Sequence, residues 1–97
     1  MEKRNENSIP ISAKEKEGST LLWRQEDDKH ILLARHDMYV MNSFSREIFE
    51  LCDGSRSVYD LAEYCSNKYK VDITVALDNI WKFIEFAESR KLMEIIE

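Results

Sequence analysis

At Met41 the spacing of apolar residues changes from two to about 3.6, and that switch divides the folding problem in half. Upstream, Thr20-Leu21-Leu22-Trp23-Arg24 and His30-Ile31-Leu32-Leu33-Ala34-Arg35 flank the polar cluster Glu26-Asp27-Asp28-Lys29, the pattern of a β-hairpin. A second polar break, Arg35-His36-Asp37, precedes Met38-Tyr39-Val40-Met41, which suits a third strand. Downstream, Asn42 or Ser43 caps a helix whose face carries Phe44, Ile48, Leu51 and Cys52, and Asp53-Gly54 stops it. Ser57 caps a second helix with Asp60 in its first turn, and Val58, Leu61, Ala62, Cys65 and Tyr69 recur on its inward face; it ends near Lys70. Asp72 caps a third, facing inward through Ile73, Ala76, Leu77, Ile80, Phe83, Ile84 and Ala87, with Leu92-Met93-Glu94-Ile95 as a short extended end. The reading predicts an α+β, winged-helix-like fold: a three-stranded antiparallel β-sheet followed by three helices, βββααα.

The 97 residues allow one small core. Residues 1–19 balance four basic against four acidic side chains and hold little apolar area besides Ile9 and Ile11, so they read as a flexible charged tail, with Ile9-Pro10-Ile11 able to dock as an extended piece. Residues 20–97 form the folded domain and carry the net charge of -5, which repels phosphate backbones. No apolar run is long enough to span a membrane, and the start of the chain lacks a secretory signal, so a cytoplasmic protein is expected. In that compartment Cys52 and Cys65 read as buried free thiols.

An enzyme needs a nucleophile with a base, a charge stabiliser, or a metal. Both cysteines fall on apolar helix faces, His30 and His36 flank the second strand without metal-ligand spacing, and glycines occur only at Gly18 and Gly54, which excludes a phosphate-cradling loop. No cofactor and no metal are expected, and a binding module remains. The third helix does not look like a reader of DNA. Over Ile73 to Arg90 it carries Asp78, Glu85 and Glu88 against Lys82 and Arg90, and only Asn79 and Lys82 suit base or phosphate contact in its exposed middle.

The same helix has more apolar surface than one stripe needs. Trp81 stands at one edge of the inward stripe, while Phe86 and Val75 lie outside it. Wide stripes are ordinary in small domains, and Trp81 can simply pack against the hairpin. The functional alternative is a groove walled by Leu77, Trp81 and Ile84, with Met38 to Met41 opposite, because a three-stranded sheet leaves two edges unpaired. An open edge beside an apolar helix can hold an extended peptide through backbone hydrogen bonds and side-chain pockets. Which parity of the strand faces the helix stays open at this level.

The run from Met41-Asn42-Ser43-Phe44 through Leu51-Cys52-Asp53-Gly54 to Ser57-Val58, continued by Leu61-Ala62, Tyr69-Lys70-Val71-Asp72 and Lys91-Leu92, resembles PqqD-like proteins over about Thr20 to Ile95. The charged tail has no counterpart in that pattern, and the link Arg35-His36-Asp37 lacks a glycine often found there. The resemblance implies a RiPP recognition element, a domain that captures the leader of a ribosomally made precursor peptide by strand addition beside the third strand and against the third helix. It implies a peptide site of Met38, Tyr39, Val40 and Met41 for main-chain pairing and Leu77, Trp81 and Ile84 for the helical wall, with Lys82 placed to meet an acidic leader residue. It further implies a non-catalytic adaptor that serves a modifying enzyme such as a radical-SAM maturase, a protease or a cyclase, with neither nucleic acid nor membrane as partner. The competing readings are a winged-helix transcriptional regulator and, behind it, a thiol-dependent enzyme.

Overall fold

The computed structural model describes residues 5–12, 21–34 and 37–96. Strand β1 (Ile9–Ser12) opens the chain and is followed by β2 (Leu21–Glu26), β3 (Lys29–Ala34) and β4 (Asp37–Met41). Then come helices α1 (Ser43–Leu51), α2 (Val58–Tyr69) and α3 (Ile73–Ser89), and a last strand, β5 (Met93–Ile96). The α+β class, the antiparallel sheet β2-β3-β4 and the three helices agree with the expectation. A second antiparallel sheet, β1 with β5, enlarges the expected βββααα order at both ends.

That second sheet draws part of the charged N-terminal segment into the domain. Ile9 pairs with Ile96 and Ser12 with Met93, while Pro10, Ser8 and Ser12 are buried. The segment also completes α2. The N–H groups of Val58 and Tyr59 donate to the carbonyls of Ser8 (2.8 Å) and Glu6 (2.9 Å), and the Asp60 N–H donates to Ser57 Oγ at 3.1 Å. Three of the orphan donors at a helix start are thereby satisfied. The extended Ile9-Pro10-Ile11 docking piece is thus part of a strand, paired with β5, while Ser8 and Glu6 just before it accept from the start of α2. The remainder of the expected tail, residues 1–4 and 13–19, lies outside the described residues.

The helix signals act where the sequence places them. Asn42 caps α1, its Oδ1 accepting from the Ser45 N–H at 2.8 Å. Ser57 and Asp60 form a reciprocal capping box on α2. Between these helices Gly54 turns the chain at φ 87, where a Cβ would stand 3.2 Å from Ile11 Cδ1, so both the backbone angle and the close approach of β1 favour glycine. Helix α2 ends on Lys70 in the left-handed region. The core gathers Leu21 and Leu32 from the sheet, Ile48 and Phe49 from α1, Val58, Leu61, Ala62 and Cys65 from α2, and Ala76, Ile80, Ile84 and Ala87 from α3. Phe49, which the period did not assign inward, is fully buried and meets Trp23 edge-to-face at 5.7 Å. Tyr69, assigned inward, is 43% exposed because its hydroxyl turns to Glu47 on α1.

Register decides which way β4 faces. In a hairpin closed by two residues, here Asp27-Asp28, the flanking pair Glu26 and Lys29 exchanges both hydrogen bonds, and paired residues alternate from there. His30, Leu32 and Ala34 of β3 therefore turn their peptide groups to β4, opposite Met41, Tyr39 and Asp37. The N–H and C=O of Met38 and Val40 point outward, along a sheet edge with no partner strand among the described residues. Side chains alternate too. Tyr39 packs on the core and Met41 is buried, whereas Met38 (64% exposed) and Val40 (65%) look away.

Candidate functional site

The outer edge of β4 borders a cleft of about 620 Å³. Val40, Met41 and Asn42 form one rim, and α3 supplies the opposite wall through Asn79, Lys82, Phe83 and Phe86. Phe86 meets Tyr39 of β4 edge-to-face at 6.5 Å, and the Arg90 guanidinium lies 4.4 Å from the Phe86 ring. Past the end of β4 the cleft continues between α1 (Phe44, Ser45), α2 (Cys65, Tyr69), Val71 of the α2–α3 link and Ala76. Charge is sparse along this lining. Lys82 is the cationic member, and its Nζ pairs with Asp78 at 3.1 Å in a solvent-exposed i,i+4 contact.

The structure brings Val40, Met41 and Lys82 of the expected site to this cleft, with Tyr39 behind its wall and Met38 on the outward side of the same strand. It does not bring Leu77, Trp81 and Ile84 there. Ile84 is fully buried, Trp81 is 8% exposed and Leu77 packs against the core. The apolar stripe of α3 is wide and has two borders; Trp81 marks one and Phe86 the other. The β4 edge faces the Phe86 border, so the α3 side of the cleft runs through Ala76, Asn79, Lys82, Phe83 and Phe86. Phe86, whose place outside the stripe was visible, was the signal; Phe44, Tyr69 and Val71 come from elements that periodicity does not bring together.

Beside the cleft Glu47 ties α1 to α2. Its carboxylate accepts from Lys68 Nζ, Tyr64 Oη and Tyr69 Oη, the last at 2.6 Å, and these donors, Lys68 first, hold its pKa down to about 2. Tyr69 in turn stacks edge-to-face on Phe44 at 6.0 Å, so the clamp also fixes a wall of the cleft. A carboxylate whose pKa is depressed on folding contributes stability above its unfolded value, and that contribution fades as pH falls from about 4.5 toward about 2. Glu47→Gln is expected to lose no more than about 1 kcal/mol at neutral pH, since solvent reaches the pair, and to lower the melting midpoint by a few degrees. The gap between variant and parent should close across that acid window in melts followed by circular dichroism; a constant gap would contradict the clamp.

The thiols are not poised for chemistry. Burial pushes Cys52 up to about 12, with the Asp53 charge adding to it, and burial followed by the Glu47 charge pushes Cys65 up to about 11. Both stay protonated at neutral pH. Among the described residues there is no group of three or more His, Cys, Asp or Glu side chains able to hold a metal ion, and no helix long and apolar enough to cross a membrane. His36 lies outside the described residues.

The α+β fold of this chain has a solved counterpart. The chain matches, with a TM-score of 0.74 and 17% sequence identity over 95% of each chain, a solution NMR structure of the PqqD truncation of Methylobacterium extorquens PqqCD. That structure is described as a functional and stand-alone RiPP recognition element. The family model for coenzyme PQQ synthesis protein D (PqqD) matches residues 29–93, two thirds of this sequence, and the chain belongs to the PqqD family. Curated protein sequences give no match.

Proposed function

We propose that this protein is a non-catalytic recognition element that captures the leader region of a ribosomally made precursor peptide and delivers it to a modifying enzyme. The observation that carries the reading is the outward-facing peptide groups of Met38 and Val40 on an edge strand beside the cleft. A guest strand completes the sheet there, with alternate side chains entering the cleft. Membership of the PqqD family and the fold shared with a described recognition element support this role. The enzyme served is of the class that alters such precursors, a radical-SAM maturase, protease or cyclase. Two free thiols, Cys52 and Cys65, suit a reducing cytoplasm.

Magnitudes divide the work. The N–H and C=O of two residues allow four backbone hydrogen bonds, worth roughly 0.5 to 1.5 kcal/mol each. That sum, about 2 to 6 kcal/mol, falls short of the roughly 8 kcal/mol of a micromolar complex even before ordering costs. Side chains buried in the cleft supply the remainder. Duplex DNA is a poor guest, because α3 carries Asp78, Glu85 and Glu88 beside an ion-paired Lys82.

Selection of a displayed library of random peptides on the full chain, followed by titration of the ¹⁵N-labelled protein with a selected peptide, tests the reading. Amide shifts are expected at Met38 to Met41, Asn79, Phe83 and Phe86, and a mixed-sequence DNA duplex should leave them in place. Peptides that shift another surface, or a selection that yields no binder, would overturn it.

A further inference from the structure

The cleft is longer than the strand edge it serves. Strand β4 ends at Met41, and Asn42 immediately caps α1, so backbone pairing stops there, yet the cavity runs on toward α2. In this extension Phe44, Tyr69, Val71, Cys65 and Ala76 surround a space without a charged side chain. Two of them remain open to solvent, Tyr69 at 43% and Val71 at 37%, although both line a concave apolar wall. The wall is rigidly held: Glu47 accepts from the Tyr69 hydroxyl, Tyr69 packs on Phe44, and Ser66 Oγ donates to the Val71 carbonyl at 2.6 Å. Concave, preformed recesses lined by apolar side chains are the usual seats of apolar ligand groups.

We infer that this recess between α1, α2 and the α2–α3 link is an anchor pocket for one large apolar side chain of the guest peptide, Leu, Ile, Met or Phe, standing just beyond the strand-paired segment. The inference rests on the strand-addition reading above and adds the chemistry of the guest: a short extended stretch followed or preceded by a bulky apolar residue. Val71 is the specificity-determining residue most open to substitution, since it lies outside both helices and its side chain is partly exposed.

The test uses peptides selected from the random display library on the full chain. Each large apolar residue of a selected peptide is replaced by Ala in turn, and binding is measured to the parent, Val71→Asp and Val40→Pro, each with its melting midpoint. One Ala replacement should weaken binding to the parent by about 10- to 100-fold. The same replacement should change binding to Val71→Asp by less than about threefold, because the carboxylate has already closed the pocket to an apolar group. Additive losses, or a Val71→Asp protein that binds like the parent while Val40→Pro does not, would overturn the anchor pocket and leave strand addition standing. Binding unchanged by Val40→Pro would overturn both.

Discussion

A chain lacking residues 1–12 is expected to melt at least about 10 °C below the intact protein, the largest stability effect that follows from this fold. Deletion removes the pairing of β1 with β5, the two carbonyls that accept from Val58 and Tyr59, and the bond from the Ser12 N–H to the Cys52 carbonyl at 2.9 Å. Three inter-element bonds at about 1 kcal/mol each already approach 3 kcal/mol. Ile11 would leave Gly54, and Met93 and Cys52 would lose Ser12 as their backbone partner. Against a total stability of roughly 5 to 15 kcal/mol that is a large share, and each kcal/mol moves the midpoint of a domain this size by about 4 to 8 °C. Thermal melts by circular dichroism compare the two chains. Midpoints within about 2 °C would show that β1 lies outside the cooperative unit.

The second large effect concerns binding. Val40→Pro should leave the melting midpoint within a few degrees, because the Val40 N–H points away from β3 and an edge strand tolerates proline there. Capture of a selected peptide should nevertheless fall by about 10- to 100-fold, since one donor is lost and the guest's carbonyl is left unpaired. Tyr39→Pro should do the opposite. Its N–H faces Leu32 within the sheet and its ring packs on Phe86, so the substitution should destabilise the fold by about 3 kcal/mol. Calorimetric titration alongside melting curves separates the pair; loss of fold in Val40→Pro would mean that the strand has the other parity.

Much of the fold was legible because its signals are local. Asn42, the Ser57 and Asp60 box and the Asp53-Gly54 reversal each act within a few residues, and the helices begin and turn at these points. Strand β1 was harder to read, because Ile9-Pro10-Ile11 sits among charges and its partners, β5 and the carbonyl of Cys52, lie about forty or more residues away in sequence. At the site, Met38 to Met41 was recognisable as a strand, and the structure supplied its parity through a register that starts at the two-residue turn Asp27-Asp28. The helical wall was assigned to the Trp81 border of α3, whereas the cleft lies on the Phe86 border. A helix period identifies a stripe and leaves open what each border meets. Tyr69 shows the same limit from the other side: helical spacing put it inward, and a hydroxyl bond to Glu47 holds it at the rim.

Amide hydrogen exchange read residue by residue along β4, with and without a selected peptide, examines the open edge most directly. In the free protein Tyr39 and Met41 should exchange slowly and Met38 and Val40 quickly, and addition of peptide should slow Met38 and Val40 while leaving the other two unchanged. Protection of Met38 and Val40 before any peptide is added, or exchange that stays fast at both when the peptide is bound, would contradict the completion of this sheet by a guest strand.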